Sequence, residues 1–156
     1  MQTAVCVAQL KKLPGFIEAR RESCRQVCEG LKDLQEFLVL PEVTLGSEPS
    51  WFGFPIAVGE NAPFTRHDLT RRLEETRIGN HLLFGGNLTR EPAFKDPPFR
   101  VGGDLRNSDF AMNQLFWIGV DPGLGALKLS HTIDVIRETD ADSWKSPKPL
   151  VTQSNA

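Results

Sequence analysis

Cysteine is scarce in this 156-residue chain, and none of it comes late: Cys6, Cys24 and Cys28 are the only three. An odd number of thiols builds no disulfide framework and suits a reducing compartment. Charge of one sign is also lacking, since 18 basic and 20 acidic residues leave a net charge of -2. That removes the basic footprint expected of a protein that binds nucleic acid or an anionic membrane. No apolar run approaches the roughly 20 residues that span a bilayer, so no membrane segment is expected. The opening Met1-Gln2-Thr3-Ala4-Val5 has neither a basic n-region nor a following apolar h-region, which predicts no secretory signal and a cytoplasmic location. Without secretion, the acceptor-like Asn87-Leu88-Thr89 is accidental. There is no internal repeat and no low-complexity tract. No serine sits in a Gly-x-Ser-x-Gly turn. Gly85-Gly86-Asn87 and Gly102-Gly103-Asp104 lack the spacing of a phosphate-binding loop.

With 40% hydrophobic residues the chain can bury one real core. Thr3–Gln9 alternates around Val5 and Val7 and reads as a first strand, which Pro14-Gly15 then breaks. From Phe16 to Leu34 the apolar positions Cys24, Val27, Cys28, Leu31 and Leu34 recur three and four apart, laying one stripe along a helix. The run Phe37-Leu38-Val39-Leu40 follows, apolar without alternation, as in a strand buried on both faces of a parallel sheet. Together these segments predict a βαβ unit. Residues 46–63 hold Trp51, Phe52 and Phe54 but no clear period and read as a long loop. Thr65–Asp68 has the form of a capping box opening a helix that ends near Gly79-Asn80, and His81–Gly86 is another strand. Thr89–Asn107 is loop-like. Met112–Val120, a turn at Asp121-Pro122-Gly123 and an extended Leu124–Ile136 form a hairpin. Residues 140–156 are a polar tail after a single domain over 1–139.

Three residues could carry chemistry: Glu42, Glu91 and Lys128. Glu42 follows the Phe37–Leu40 strand directly, at the end where open α/β sheets bind ligands, though a solvated loop carboxylate would look the same. Lys128 stands between Leu127 and Leu129. It is either a partly desolvated lysine able to hold a carbonyl oxygen or an outer-face residue of a half-exposed strand. Glu91 lies beyond the Leu82–Phe84 strand. His67, His81 and His131 are too scattered for a metal site. Cys6 inside a strand and Cys24 and Cys28 on the stripe read as small hydrophobes.

The order Ala4–Gln9, helix, Phe-Leu-Val-Leu-Pro-Glu, helix, apolar strand, and Asn113 to Lys128 resembles the carbon-nitrogen hydrolases of the nitrilase superfamily, over about residues 3–135. The resemblance implies an α/β fold, half of an αββα sandwich with a mixed sheet and flanking helices, with no cofactor and no metal. It implies Glu42 as general base and Lys128 as oxyanion partner, acting on a small amide or nitrile. His131 stands three positions past Lys128, where that family has its His two past. The family's nucleophilic Cys has no counterpart after Cys28, so the chain is expected to be partial and inactive alone. The alternative is a non-catalytic binding module on the same half-fold. Either way, half a sandwich predicts a homo-oligomer or association with another chain.

Overall fold

A computed structural model describes residues 2–94 and 99–139; the expected tail over 140–156 lies outside them. The chain opens with two helices, α1 (Gln2–Leu10) and α2 (Leu13–Gly30), which corrects the strand expected over Thr3–Gln9. Val5 and Val7 invite a strand, but Ala4, Ala8, Gln9 and Leu10 are good helix formers. Pro14 does not break the chain. It sits in the first turn of α2, where a missing N–H costs nothing. The stripe along α2 is as its spacing predicts: Cys24, Val27 and the following Leu31 are buried, with Cys28 and Leu34 packed beside them.

The strands are β1 (Leu38–Val39), β2 (Gly53–Val58), β3 (Asn80–Leu82) and β4 (Leu115–Gly119), in the spatial order β1-β2-β4-β3. Every pairing is antiparallel. The domain is therefore mixed α/β with a small antiparallel sheet, and the parallel βαβ unit and the hydrolase-like sandwich half are both corrected. Phe37–Leu40 is no central strand: β1 is a two-residue edge in which Leu38 is buried and Val39 is 54% exposed. Without a first strand there is nothing for a parallel partner to cross over to.

The central strand β2 occupies the segment read as loop. Pro55 hides it from pattern reading, because proline is excluded from strands flanked on both sides. Here β1 pairs only with Val58 and Ala57, so the flank of β2 beside Pro55 is free of that partner and no N–H is missed. The alternation is nonetheless present: Phe54, Ile56 and Val58 point to one face. With Leu38, Phe116 and Ile118 they form the inner face, closed by Val27 of α2, Leu69 and Leu73 of α3 (Arg66–Glu75), and Leu129 and Ile136 of α5 (Ala126–Arg137). Each such fully buried side chain is worth about 1.5–3 kcal/mol in removed apolar surface.

Helix α3 starts as its sequence predicts. Thr65 N donates to Asp68 Oδ2 (3.0 Å) and Asp68 N to Thr65 Oγ1 (3.2 Å). It ends earlier than Gly79, through a Schellman pattern: Ile78 N donates to Leu73 O and Arg77 N to Glu74 O. The left-handed position of that motif, φ 64°, is filled by Arg77 rather than glycine.

The second arm of the expected hairpin is the helix α5. Leu-Lys-Leu-Ser-His-Thr-Ile alternates like a strand, but Leu129, Ile133 and Ile136 also stand at i, i+4 and i+7, and that stripe is the one that packs. Gly30 lets α2 approach it: a Cβ there would come within 2.7 Å of Ile133 Cδ1. Arg137 Nη1 then ties the two helices, donating to Gly30 O (2.6 Å) and Asp33 Oδ1 (2.8 Å). Among the described residues no helix is long and apolar enough to cross a membrane.

Candidate functional site

Three helices seal the inner face of the sheet, whereas the outer face is only partly covered, by α4 (Arg106–Gln114), and so is where a ligand or another polypeptide can reach. Its residues follow from register: Ala57 opposite Leu115, Pro55 opposite Trp117, and His81 opposite Trp117. At one end Phe110 and Ala111 of α4 overhang Val39, Pro55, Ala57 and Leu115, enclosing a shallow apolar hollow of about 190 Å³. At the other end Trp117 carries His81 stacked on it (ring centres 4.7 Å apart, 28° between planes) and Phe52 tilted against it at 5.2 Å. His81 and Phe52 are exposed. Gly53 is required beneath them, since any Cβ there would run into the Trp117 ring.

Beyond β3 the chain turns through Phe84-Gly85-Gly86 and is fastened to α4. Asn87, 3% exposed, is the pivot. Its Oδ1 accepts from Thr89 N (3.1 Å) and Thr89 Oγ1 (2.8 Å), while its Nδ2 donates to Asp109 Oδ1 (2.8 Å). Arg90 grips the same carboxylate with two bonds, Nε to Oδ1 at 3.0 Å and Nη2 to Oδ2 at 2.7 Å. The Arg90 guanidinium first, and the Asn87 amide second, hold the Asp109 carboxyl down at about 2. Gly86, at φ 59°, lies against Met112, and Phe84 is left 91% exposed at φ 32°. On the other side Arg66 Nη1 donates to Met112 O (2.6 Å) and Leu115 O (3.3 Å), fixing the joint between α4 and β4. The result is a loop pinned to α4 by side-chain hydrogen bonds that presents an exposed aromatic ring and two glycine backbones beside an aromatic sheet surface.

Of the residues singled out in the sequence, Glu42 is exposed in the loop after β1, next to Pro41 at the rim of the outer-face hollow. Lys128 is exposed in the first turn of α5 rather than in a strand between apolar neighbours. Glu91 closes the loop after β3, half-buried. Among the described residues no ion pair joins any of these three to another. Cys24 is buried and Cys28 half-buried, as expected, but Cys6 is exposed on α1. Among the described residues no cluster of His, Cys, Asp and Glu could hold a metal ion. Pattern reading missed Asp109, Arg90 and Trp117. The available signal was the glycine pair followed by Asn after an apolar strand, which marks a tight turn with a side-chain anchor.

Comparison with known proteins decides between readings of this face. The family model for the DegT/DnrJ/EryC1/StrS aminotransferase family matches residues 1–137. The chain belongs to that family. It is 44% identical over 138 residues to the lipopolysaccharide biosynthesis protein RfbH of Salmonella typhimurium, covering 88% of this chain and 32% of the relative. It is 43% identical over 143 residues to the dTDP-4-dehydro-2,6-dideoxy-D-glucose 3-dehydratase of Saccharopolyspora spinosa, covering 92% and 31%. Its fold superposes on the GDP-4-keto-6-deoxy-D-mannose-3-dehydratase of E. coli, solved with bound hydrated PLP, with a TM-score of 0.74 at 24% identity, covering 83% of this chain and 33% of that one. The chain thus spans about a third of the length of the relatives it matches.

These matches overturn the carbon-nitrogen hydrolase reading, and the non-catalytic module on the same half-fold fits no better. The Leu-Pro-Glu segment that suggested it is an edge strand and a loop. The roles of base and oxyanion partner given to Glu42 and Lys128, and the amide or nitrile substrate, belonged to that reading.

The aminotransferase family brings pyridoxal phosphate (PLP) into question. Such a site generally offers a lysine able to form a Schiff base and a partner for the pyridine nitrogen. Lys11, Lys12, Lys32 and Lys128, the lysines among the described residues, are all exposed. The outer-face hollow is lined by apolar residues alone. The described residues do not fit a PLP site.

Proposed function

We propose that this chain supplies one third of an enzyme that removes the 3-hydroxyl of a nucleoside-diphosphate-linked 4-keto-6-deoxyhexose, with PLP held by the part of the family fold that lies outside the matched third. The observation that carries this reading is the 43% identity, over 92% of the chain, to a 3-dehydratase named for a dTDP-linked 4-dehydro-2,6-dideoxy sugar. Two further relatives are named for the 3-dehydration of a GDP-linked 4-keto-6-deoxymannose. The sugar chemistry common to these names is a 4-ketone, a 6-deoxy carbon and loss of oxygen at C3.

The chain's own share is positioning. The outer face and the Phe84–Arg90 loop form the substrate side, because the inner face is sealed. Asp109, Arg90 and Asn87 keep the loop in one shape, so that Phe84 and the Gly85-Gly86 backbone meet the bound sugar without ordering cost at that moment. His81 and Trp117 offer a flat surface beside it.

A chimera tests this: residues 1–137 of this chain replace the matched third of RfbH, and the product is incubated with the cofactor in its amine form, pyridoxamine phosphate, a reductant and candidate nucleotide sugars. The expected result is loss of the 3-hydroxyl from a 4-keto-6-deoxy substrate, read by mass spectrometry. A chimera that folds and binds PLP but leaves every such sugar intact sinks the reading.

A further inference from the structure

We propose that His81 is a seat for the nucleobase of a nucleoside-diphosphate sugar, which stacks on the open face of the imidazole and extends a column of rings begun by Phe52 and Trp117. The nucleotide as ligand rests on the functional reading above. The stacking seat rests on geometry alone.

β3 is an edge strand, with β4 on one side and no further strand beyond it among the described residues. His81 of that edge stands opposite Trp117. The two rings lie nearly parallel, centres 4.7 Å apart, while Phe52 tilts against Trp117 at 56°. Trp117 thus has three neighbours: Phe52, His81 and the backbone of Gly53, where a Cβ would come 2.9 Å from its Cδ2. His81 has one. It is exposed, and among the described residues its imidazole makes no hydrogen bond or ion pair, only the contact with Trp117. Cross-strand ring pairs stabilise a sheet by covering one another, but a pair at an edge leaves a flat face in water.

Sheet edges are commonly guarded by charge, lysine above all, which turns other chains away. This edge instead offers His81, Leu82 and, after the strand, Phe84, with Leu82 53% exposed. It suits a flat ligand.

Stacking selects the base among the parts of such a substrate. The hexose is puckered, the diphosphate is a charge, and the base alone is a planar π-system. Every base has such a face, so a seat of stacked rings takes a base without reading its edge. The row here fits that role, because Pro55 and Phe52, the other neighbours of Trp117, carry no hydrogen-bonding side chain. Thymine and guanine nucleotides should therefore bind alike. Phe84 lies three residues past His81, within about 11 Å along the backbone, so one substrate can rest its base on the imidazole and bring its sugar to the loop.

Proton–nitrogen NMR of the 156-residue chain tests the seat. Thymidine diphosphate and guanosine diphosphate are titrated in turn against the Trp117 indole N–H signal, identified by its loss in Trp117→Phe. Both should shift it, and magnetisation transferred from the chain should reach base protons more strongly than sugar protons. Ribose 5-phosphate, which has no base, and pyridoxamine phosphate should leave it in place. His81→Ala should weaken nucleotide binding about tenfold or more, the weight of one stacked base. His81→Phe keeps a ring without the imidazole's charge and should bind within about threefold of the original, whereas His81→Lys keeps a charge without a ring and should fall with the alanine variant. An unmoved Trp51 indole signal, from the ring packed against buried Phe54, shows the core intact in each variant. No response of Trp117 to either nucleotide overturns the proposal, as does unchanged affinity in His81→Ala. Binding kept by His81→Lys and lost by His81→Phe also overturns it, by making charge on phosphate the contact, and so does an equal response to pyridoxamine phosphate. In the RfbH chimera, His81→Ala should raise KM for the nucleotide sugar more than it lowers kcat. Stacking in a chain whose chimera dehydrates no sugar would overturn the functional reading and leave the seat standing; dehydration with KM unmoved by His81→Ala would do the reverse.

Discussion

Gly86→Ala should unfasten the loop that follows β3, and the expected size follows from the backbone conformation there and from the contact with Met112. The backbone there has φ 59°, which costs an L-residue about 1–2 kcal/mol. The added Cβ would also lie 2.5 Å from both Cβ and Cγ of Met112 and 2.9 Å from its Cα. Overpacking of this kind costs about 1–3 kcal/mol. The sum, about 2–5 kcal/mol, is large against the roughly 5–15 kcal/mol that holds a domain together. Most of it should be relieved locally, because the loop touches α4 but not the inner core. Amide exchange reads this directly. Thr89 N–H, held by Asn87 Oδ1, and Arg90 N–H, held by Asn87 O at 2.9 Å, should exchange at least about tenfold faster (1.4 kcal/mol per tenfold). The β2–β4 amides should keep their rates. Of the three clashing atoms Met112→Ala removes Cγ and leaves Cβ and Cα, so it should rescue the variant in part. Gly102→Ala, with open space around it, should change nothing. Wild-type exchange at Thr89 and Arg90 in Gly86→Ala would refute the reasoning.

Arg77→Gly should stabilise the domain by about 0.5–1 kcal/mol, the relief of a left-handed residue less glycine's entropy in the unfolded chain; a lower urea midpoint would count against it. Asp109 titrates below the ordinary carboxylate range of about 3.9, so its clamp is complete above that pH and is lost as pH falls toward 2. Arg90→Gln should raise the Asp109 pKa and move loop opening to higher pH, followed by carboxyl NMR shifts, and an unmoved titration would refute the pairing. The thiols should alkylate in the order Cys6, Cys28, Cys24. Burial pushes Cys24 up to about 11 and also raises Cys28, whereas Cys6 is exposed; mass spectrometry finding Cys24 modified first in the native chain would contradict the packing.

The sequence was legible where local rules and packing agree. The α2 stripe and the Thr65–Asp68 cap both depend on neighbours three or four residues away, and both are where the pattern puts them. It was illegible where tertiary contacts choose between two periods. Leu127–Ile133 carries a strand-like alternation as well as part of the helical stripe Leu129, Ile133 and Ile136, and only the surfaces of α2 and α3 select the helix. Pro55 concealed a central strand because the shortness of β1, which excuses it, is not a local property. The site residues failed for a related reason: Asn87 and Asp109 are 22 positions apart, and neither has a motif until the loop folds back onto α4. Glu42, placed after an apolar run, looked more informative than either.

The position of β4 has a consequence for how the molecule assembles. The last strand among the described residues lies inside the sheet, between β2 and β3, so neither of those strands has its main partner until Leu115–Gly119 has been made. Joining β2 to β4 closes a loop of more than fifty residues, since Gly53 pairs with Gly119 and Ala57 with Leu115. Non-local closure of this kind slows folding. On a ribosome, α2 and α3 would form early while β2 waits with an unpaired edge, and the sheet would close in one late step when β4 slides between its neighbours.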